Sequence, residues 1–218
     1  MGMSKTRAYI SVSLDGFVAG PHETMEQPLG EGGESLHDWV VVLKAWREAQ
    51  GMEGGEENVS SAVVAEDNAN VGAEIMGRGK FGPPTRGPWN PDEPWRGWWG
   101  DDPPFHKPVF VLTHHEREPL ILSDSTFTFV TDGIERAHEL AREAAGAKDV
   151  LIGGGARTIN QYLAAGLLDE LGLHVVPILL GGGARLFDGV GPDVTLEQIR
   201  AIEAPGVTHL TYRVTRGG

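Results

Sequence analysis

The stretch DVLIGGGARTINQYLAAG, residues 149–166, decides the fold class of this chain. An apolar run typical of a buried strand ends at Ile152, three glycines follow, and an amphipathic helical pattern then runs to Gly166. Glycines before a helix let an anion approach the free N–H groups and partial positive charge of the helix N-terminus. This order predicts an α/β fold, and Arg157 and Thr158 in the first helical turn make the glycine turn a candidate anion site.

The glycine turn matches neither of the two common phosphate-binding motifs. The P-loop motif requires Gly-Lys-Ser/Thr before the helix, and this turn contains no lysine. The dinucleotide motif G-x-G-x-x-G is matched at Gly153 and Gly155, but Thr158 occupies the place of the third glycine. The stretch alone therefore leaves two interpretations open, an anion site or a tight turn that binds no ligand.

The letters GGGAR occur a second time, at residues 181–185 in VVPILLGGGARLF. This copy ends a strand-like run that contains Pro177, and the turn-like sequence DGVGPD follows it instead of a helical pattern. Without a helix it lacks the array of free N–H groups and the helix dipole. We interpret it as a bend that ends a strand, and we expect Arg157 but not Arg185 to contribute strongly to ligand binding.

Strand and helix patterns alternate along the rest of the chain. Residues 7–14 read as a strand, residues 36–50 as a helix, and a short helix is predicted to end near Met76. The C-terminal part reads as two strands around a turn at Pro205 and Gly206. These patterns predict one domain over residues 1–218, with a mostly parallel central sheet, antiparallel C-terminal strands and flanking helices.

Residues 82–108 are rich in proline and contain four of the six tryptophans. Such proline density excludes regular elements, and a loop of this length is uncommon unless it is functional or disordered. The tryptophans argue against disorder because their large rings need a surface to pack on. We leave three interpretations open: a lid over the substrate, a dimer contact, or a surface loop held in place by its aromatic side chains.

Composition removes several classes of function. The chain has no cysteine, which excludes disulfides, thiolate metal sites and cysteine nucleophiles. A formal net charge of −13 opposes binding to nucleic acids and to anionic membranes. With no pattern typical of a signal peptide or a membrane span, we expect a cytoplasmic protein. No G-x-S-x-G motif supports a serine hydrolase.

The histidines do not form a pattern typical of a metal site. His114 and His115 are adjacent on a predicted strand, so their side chains point to opposite faces, and no third ligand accompanies them. His174 lies inside an apolar strand, where a packed core residue is the ordinary interpretation. We therefore expect no metal site.

Five segments in order resemble one protein family. Three of them, MGRGKF, VLTHH and IGGGART, resemble the cofactor-binding segments of the dihydrofolate reductase-like superfamily. The opening SLDGFVAG and the ending LLDELGLHVVPILLGGGARLF resemble one branch of it, the reductase domain of bacterial riboflavin biosynthesis (the RibD C-terminal domain) and its stand-alone relatives. The resemblance runs from about Tyr9 to Val214. It implies a dihydrofolate reductase-like fold, binding of NADP(H), and a dimer.

The resemblance also implies positions for the cofactor. Ala19 and Gly20 would lie beside the nicotinamide, and Thr113 and His114 would meet the adenine ribose and its 2′-phosphate. The residues implied at the phosphates are Gly77, Arg78 and Lys80 for the adenosine phosphates, and Gly154, Gly155, Ala156, Arg157 and Thr158 for the pyrophosphate. In the family, the position of Lys80 is often a threonine. Basic residues near the ribose favour NADP over NAD.

A hydride acceptor of carbonyl or C=N type also needs a proton, so a proton donor is expected near it, and the candidates are Asp15, Glu34, His37 and Asp38. By position, Asp38 at the start of the first helix resembles the carboxylate that grips the pterin in dihydrofolate reductase, although an acid there also complements the helix dipole. Asp15 is a second, substrate-side candidate, although Asp-Gly favours turns.

The substrate is expected to be a small molecule, and three functions stay open. The first is reduction of the ribosylaminouracil intermediate of riboflavin synthesis, the second is reduction of a folate or another carbonyl compound, and the third is NADP(H) binding without catalysis. The zinc deaminase domain often fused to the riboflavin enzyme requires cysteine ligands, so this chain is not that bifunctional enzyme. Residues 21–35 and 82–108, which would border the substrate, look expanded relative to the family.

Overall fold

The computed structural model of the protein describes residues 4–84 and 87–216. Within them the strands are β1 (Thr6–Ser13), β2 (Phe17–Ala19), β3 (Val71–Gly77), β4 (Pro108–Leu112), β5 (Leu120–Leu122), β6 (Ser125–Val130), β7 (Asp149–Ile152), β8 (Glu170–Val176), β9 (Ala184–Arg185), β10 (Val194–Ala204) and β11 (Val207–Arg216). The helices are α1 (Asp38–Val41), α2 (Lys44–Ala49), α3 (Val59–Asn68), α4 (Arg78–Phe81), α5 (Gly133–Ala145) and α6 (Ala156–Ala165), and a 3-10 turn (Gly33–His37) precedes α1.

Nine strands form one twisted sheet in the order β10-β11-β8-β1-β7-β3-β4-β6-β5. The six central strands from β8 to β6 run parallel to their neighbours, whereas β11, β10 and β5 are antiparallel. The mostly parallel sheet with antiparallel C-terminal strands is therefore confirmed. The carboxyl ends of β1, β7, β3 and β4 lie side by side at one edge of the sheet, where open α/β sheets bind their ligands.

Two amphipathic helices bury their apolar faces in the main core. Ala137, Ala141 and Ala145 of α5 are buried, and their small side chains bring the helix close to the sheet. Ile159 and Leu163 of α6 are fully buried. The helix ends as the sequence predicts, with Gly166 in the left-handed conformation.

The prediction of a short helix that ends near Met76 is wrong. Residues Val71–Gly77 form β3, which pairs with β7 on one side and β4 on the other, and the helix lies earlier, at Val59–Asn68. A strand buried on both faces carries no alternating pattern, so a short apolar run is easily mistaken for a helix. As a consequence, Arg78 and Lys80 follow the carboxyl end of a parallel strand instead of ending a helix.

The helix predicted over residues 36–50 is divided into two short helices. Leu43 is extended between α1 and α2, is fully buried, and bridges to Glu56. Within the described ranges, no helix is long and apolar enough to cross a membrane.

Candidate active site

The glycine turn after β7 is joined to the end of β3 by backbone hydrogen bonds. Gly153 N donates to Ile75 O at 2.8 Å, and Gly77 N donates to Gly154 O at 2.9 Å. Gly155 then precedes α6, and it gives the helix no side-chain cap. Thr158 N donates to Gly155 O at 3.0 Å, and no side chain caps the N–H groups before it, so the start of α6 is open to a ligand at this edge of the sheet.

Gly77 must be a glycine because of Thr158. A Cβ atom at position 77 would lie 2.5 Å from Thr158 Oγ1, far inside van der Waals contact. Thr158 is buried, in the first turn of α6. The close approach fixes Arg78, the next residue along the chain, beside the start of α6, so the structure brings these two predicted segments together.

Two arginines pack against one tryptophan beside this point. The Arg78 Cζ atom lies 3.6 Å from the centre of the Trp89 ring, and the Arg117 Cζ atom lies 4.7 Å from it. Arg78 also donates hydrogen bonds to the carbonyls of Gly82 and Pro83. Neither guanidinium forms an ion pair with a carboxylate in the part of the chain that the structure describes, so two cations share this site without a counter-charge.

Burial and mutual repulsion perturb the two arginines. Burial, with a further contribution from the Arg117 charge, lowers the pKa of Arg78 to about 10. Burial also lowers the pKa of Arg117, and its Nη1 atom is buried with no hydrogen-bond partner among residues 4–84 and 87–216. Both side chains remain cationic at neutral pH, and an anion between them would satisfy the free donor and relieve the repulsion.

The loop after β4 carries Arg117 into this position. Thr113 is buried, and its Oγ1 atom accepts a hydrogen bond from His115 N at 3.2 Å. The His115 carbonyl accepts one from Trp89 Nε1 at 2.9 Å. His114 is exposed at the loop surface. The predicted residue Thr113 thus organises the loop, whereas sequence reasoning missed Arg117, four residues further on.

Lys80 lies at the glycine turn and is paired with an acid. Its Nζ atom is 3.0 Å from Glu74 Oε1, and Glu74 is only 4% exposed on β3. A Cβ atom on Gly153 would lie 1.9 Å from Glu74 Oε1 and 2.8 Å from Lys80 Nζ. The pair therefore covers the first glycine of the turn. Sequence reasoning missed Glu74 because it placed that residue in a helix.

Ala19 and Gly20 are buried between two loops. β2 pairs with β9, so that Ala19 lies opposite Ala184 of the second GGGAR copy. Gly20 N donates to Leu29 O at 2.8 Å, and Gly33 packs against Gly20 from the start of the 3-10 turn. Their place beside a nicotinamide stays a prediction.

The two GGGAR copies differ in conformation, as predicted, yet they border the same cleft. The last two residues of the second copy form the short strand β9, and no helix follows it directly. A cleft of about 500 Å³ lies between the copies, with Arg157 on one wall and Arg185 on the other. The Arg185 guanidinium lies 4.5 Å from the centre of the Phe17 ring, and Phe187 N donates to Asn160 Oδ1 at 2.8 Å. The bend therefore contributes to the surroundings of α6.

Asp15 is tied into the backbone of the loop that follows β8. Its carboxylate accepts hydrogen bonds from Ser13 Oγ at 2.5 Å, Leu180 N at 3.1 Å and Gly181 N at 2.7 Å. The Ser13 hydroxyl, followed by the two backbone N–H groups, lowers its pKa to about 2. A carboxylate with this pKa carries no proton near neutral pH, so these contacts favour a structural role.

Asp38 and His37 point to different surroundings. Asp38 is exposed and lines a cleft of about 310 Å³ together with Pro177 and Pro205. His37 is partly buried, and its Nδ1 atom has no partner among the described residues. Burial first, and the Lys80 charge second, lower the pKa of His37. Sequence reasoning considered both residues as proton donors but selected Asp38.

The Trp-rich loop is packed onto a second hydrophobic cluster. Trp89, Trp95 and Trp99 are partly buried against a group that includes Phe81 and Phe127. No helix or strand occurs in its described residues before Pro108, where β4 begins. The structure thus favours a loop held in place by its aromatics, while the interpretations as a lid and as a dimer contact stay predictions.

Comparisons with known proteins identify the family. The RibD C-terminal domain matches residues 5–208 of the chain. The chain belongs to the RibD C-terminal domain family. It is 24% identical over 186 residues to the uncharacterized protein YwjB of Bacillus subtilis, a match that covers 84% of this chain and 82% of YwjB. It is also 31% identical to the uncharacterized protein YyaP of the same organism over 91 residues, which are 41% of this chain and only 47% of YyaP.

Solved structures show the same fold. A candidate riboflavin biosynthesis protein of Shewanella sp. PV-4 superposes with a TM-score of 0.65 at 24% identity, covering 97% of this chain and 99% of that one. A deaminase/reductase of Thermotoga maritima superposes with a TM-score of 0.56 at 13% identity, covering 98% of this chain and 57% of that one. The dihydrofolate reductase-like fold of the RibD C-terminal family is therefore confirmed.

Proposed function

We propose that this RibD C-terminal family member is a reductase that uses NADPH to reduce a small heterocyclic or carbonyl substrate. The observation that carries the proposal is that the guanidiniums of Arg78 and Arg117 lie together on Trp89, next to the glycine turn of α6, with no carboxylate partner among residues 4–84 and 87–216. A dinucleotide with a 2′-phosphate presents two anionic groups, a pyrophosphate and a phosphate monoester. The structure offers two adjacent sites of matching charge, and the monoester suits the two arginines.

The residues present fit this cofactor. The buried Nη1 of Arg117 is a donor with no acceptor in the described part of the chain, and the start of α6, which no side chain caps, offers backbone donors. Gly154, Gly155, Ala156, Arg157 and Thr158 would hold the pyrophosphate, while Arg78 and Arg117 would hold the 2′-phosphate. When bound, the cofactor supplies a hydride. Ala19 and Gly20, at the end of β2, would lie beside its nicotinamide.

The chain itself must bind the substrate, exclude water and deliver a proton. The segments that would border the substrate are the 3-10 turn with α1, the loop after β2 and the glycine turn. Asp38 remains a candidate proton donor, but its exposure and its place beside Pro177 and Pro205 give it less support than its position in the sequence did.

The first candidate substrate is 5-amino-6-(5-phosphoribosylamino)uracil, because the Thermotoga neighbour is named as its reductase. The cleft between Arg157 and Arg185 supports a substrate or cofactor phosphate at this end of α6. A folate or another carbonyl compound is the alternative, and NADP(H) binding without turnover is the third. A cytoplasmic homodimer is part of the same proposal.

A spectrophotometric assay tests the proposal. NADPH oxidation at 340 nm is followed with the phosphoribosylaminouracil, with dihydrofolate and with a panel of small carbonyl compounds, and with NADH in place of NADPH. Oxidation of NADPH by one of these substrates supports a reductase. Tight NADPH binding with no turnover would favour the binding protein instead, and failure to bind either dinucleotide would refute the proposal.

A further inference from the structure

Glu74 is an unusual residue for its place in the fold. It lies on β3, inside a strand whose neighbours β7 and β4 cover both edges, and only 4% of its surface is exposed. A buried carboxylate loses its hydration, so it is retained only where a partner or a function compensates. The cation that compensates it is Lys80, at 3.0 Å.

The ion pair occupies the carboxyl end of the parallel strands. A Cβ atom added to Gly153 would lie 1.9 Å from Glu74 Oε1 and 2.8 Å from Lys80 Nζ. Both charged groups therefore lie directly over the glycine turn. One third of the Lys80 side chain is exposed, whereas 6% of the Glu74 side chain is. The ammonium therefore faces the open side of the site, and the carboxylate lies behind it.

His37 is a second polar group of this region, and the positive charge of Lys80 contributes to lowering its pKa. It ends the 3-10 turn whose first residue, Gly33, packs against Gly20 at the end of β2. The charged and titratable groups near His37 are Lys80 from α4, the adjacent Asp38, and His174 from β8. The Nδ1 atom of His37 is buried and unpartnered within the described ranges. β7 ends just before Gly153, which has no side chain, beneath the Glu74–Lys80 pair.

We propose that Lys80, held in place by Glu74, is the residue that binds the substrate's reducible carbonyl group and protonates it, with His37 as a second hydrogen-bonding group. This inference rests on the proposed reductase function and deepens it. It also gives Lys80 a role different from the adenosine-phosphate contact that the family resemblance implies. The substrate class is a small molecule whose carbonyl oxygen reaches into the space over Gly153.

The chemical step balances with these groups. The carbonyl carbon of the substrate accepts the hydride of the reduced dinucleotide, and the electron pair of the C=O π bond moves to the oxygen. The oxygen takes a proton from the Lys80 ammonium, so an O–H bond forms as an N–H bond breaks. Lys80 is then neutral beside the Glu74 carboxylate, and solvent returns the proton through the exposed third of the lysine side chain.

Lys80 is poorly suited to a cofactor phosphate. Its charge is already balanced by Glu74, so the pair as a whole is neutral and attracts a phosphate weakly. Arg78 and Arg117 have no such counter-ion within residues 4–84 and 87–216. Arg78 and Arg117 therefore suit an anion, whereas the neutral Lys80–Glu74 pair suits the donation of a proton.

The experiment compares variants whose binding and catalytic effects can be separated. Lys80→Met removes the ammonium but leaves Glu74 buried without a partner, so the double variant Glu74→Gln/Lys80→Met serves as the better-folded form. Lys148→Met, at an exposed lysine beyond α5, is the matched control. For each protein we measure NADPH affinity by fluorescence titration and the pKa of His37 by NMR, with the resonance assigned from His37→Asn.

We expect NADPH affinity to change by less than about threefold in both Lys80 variants, because an already paired charge contributes little to binding. Both variants should raise the pKa of His37, since a positive charge that lowers it is gone. With the substrate found in the 340 nm assay, single-turnover oxidation of NADPH should slow by about 100-fold or more. Lys148→Met should change none of these quantities.

Each opposite result overturns the proposal. If Lys80→Met weakens NADPH binding as much as Arg78→Ala does, Lys80 is a cofactor ligand. An unchanged pKa of His37 would show that the two residues do not face each other. Normal single-turnover rates in the double variant would exclude Lys80 as the proton donor. If no substrate is turned over, the reductase function fails, while the first two measurements still decide where Lys80 acts.

Discussion

The Arg78 guanidinium stacks on the Trp89 indole, with its Cζ atom 3.6 Å from the ring centre. Arg117 contacts the same indole and retains a buried donor without a partner among the described residues. Trp89 comes from the Trp-rich loop, Arg78 from the end of β3 and Arg117 from the loop after β4. Three separate segments therefore meet at one candidate anion site, where the aromatic ring holds two like charges together.

The first prediction concerns cofactor preference. Arg78→Ala and Arg117→Ala should each weaken NADPH binding by about 10- to 100-fold, because each removes a charge-assisted hydrogen bond to the 2′-phosphate. NADH lacks this phosphate, so its affinity should fall far less. Fluorescence titration of both variants with both cofactors measures the difference.

Arg136→Ala, at an exposed position on α5, is the control for a general loss of positive charge. An equal loss of NADPH and NADH affinity in the Arg78 and Arg117 variants would contradict a 2′-phosphate site. It would place the two arginines at a group that both dinucleotides share.

The second prediction separates the two GGGAR copies. Arg157→Ala should weaken NADPH binding by about tenfold, because Arg157 lies in the first turn of α6 where the pyrophosphate is expected. Arg185→Ala should leave the affinity nearly unchanged, although both arginines line the same cleft. The same titration measures both. If Arg185→Ala weakens NADPH binding as much as Arg157→Ala does, the second copy is part of the cofactor site.

The segments with a clear local sequence pattern were predicted correctly. The strand, glycine turn and helix of residues 149–166 and the hairpin around Pro205 and Gly206 follow from short-range periodicity and turn chemistry, and both are present. β3 was misread because a strand buried on both faces has no alternation. Glu74, inside it, therefore received no role.

Tertiary contacts explain the residues that sequence reasoning missed. Nothing local connects Arg117 with Trp89, because their meeting depends on how the loop after β4 packs under the Trp-rich loop. The choice between Asp38 and His37 depends on how the 3-10 turn and α1 sit on the sheet, which a sequence pattern does not specify. Adjacent residues on such a turn face different surroundings, with Asp38 exposed and His37 partly buried.

The third prediction tests the contact between Gly77 and Thr158. Gly77→Ala should lower the free energy of unfolding by about 1–3 kcal/mol, because the new methyl group would lie 2.5 Å from Thr158 Oγ1. Thr158→Ala removes that oxygen, so the double variant should recover most of the loss. Urea unfolding of the two single variants and the double variant gives the coupling free energy. Additive effects of the two substitutions would show that the atoms do not meet.

The fourth prediction concerns stability at acid pH. His209 is buried on β11, where its Nδ1 atom lies 2.8 Å from His174 Nδ1, and its Nε2 atom lies 3.0 Å from Ser60 Oγ. Burial, followed by the charges of His174 and Arg200, lowers the pKa of His209 to about 4. The unfolded chain, with a histidine pKa of about 6.5, therefore binds this proton more readily than the folded protein does.

The stability that neutral His209 contributes is thus complete above about pH 6.5 and is lost as the pH falls from there towards about 4. Between these pH values the free energy of unfolding, measured in urea, should decrease by up to about 3 kcal/mol because of this residue. His209→Asn should flatten the decline, because the titrating group is gone, while His22→Asn, at an exposed histidine, should preserve it. If the His209→Asn protein loses the same stability at acid pH, other groups cause the acid sensitivity. Asp67, whose carboxylate lies 3.4 Å from His174 Nε2, is then the next residue to replace.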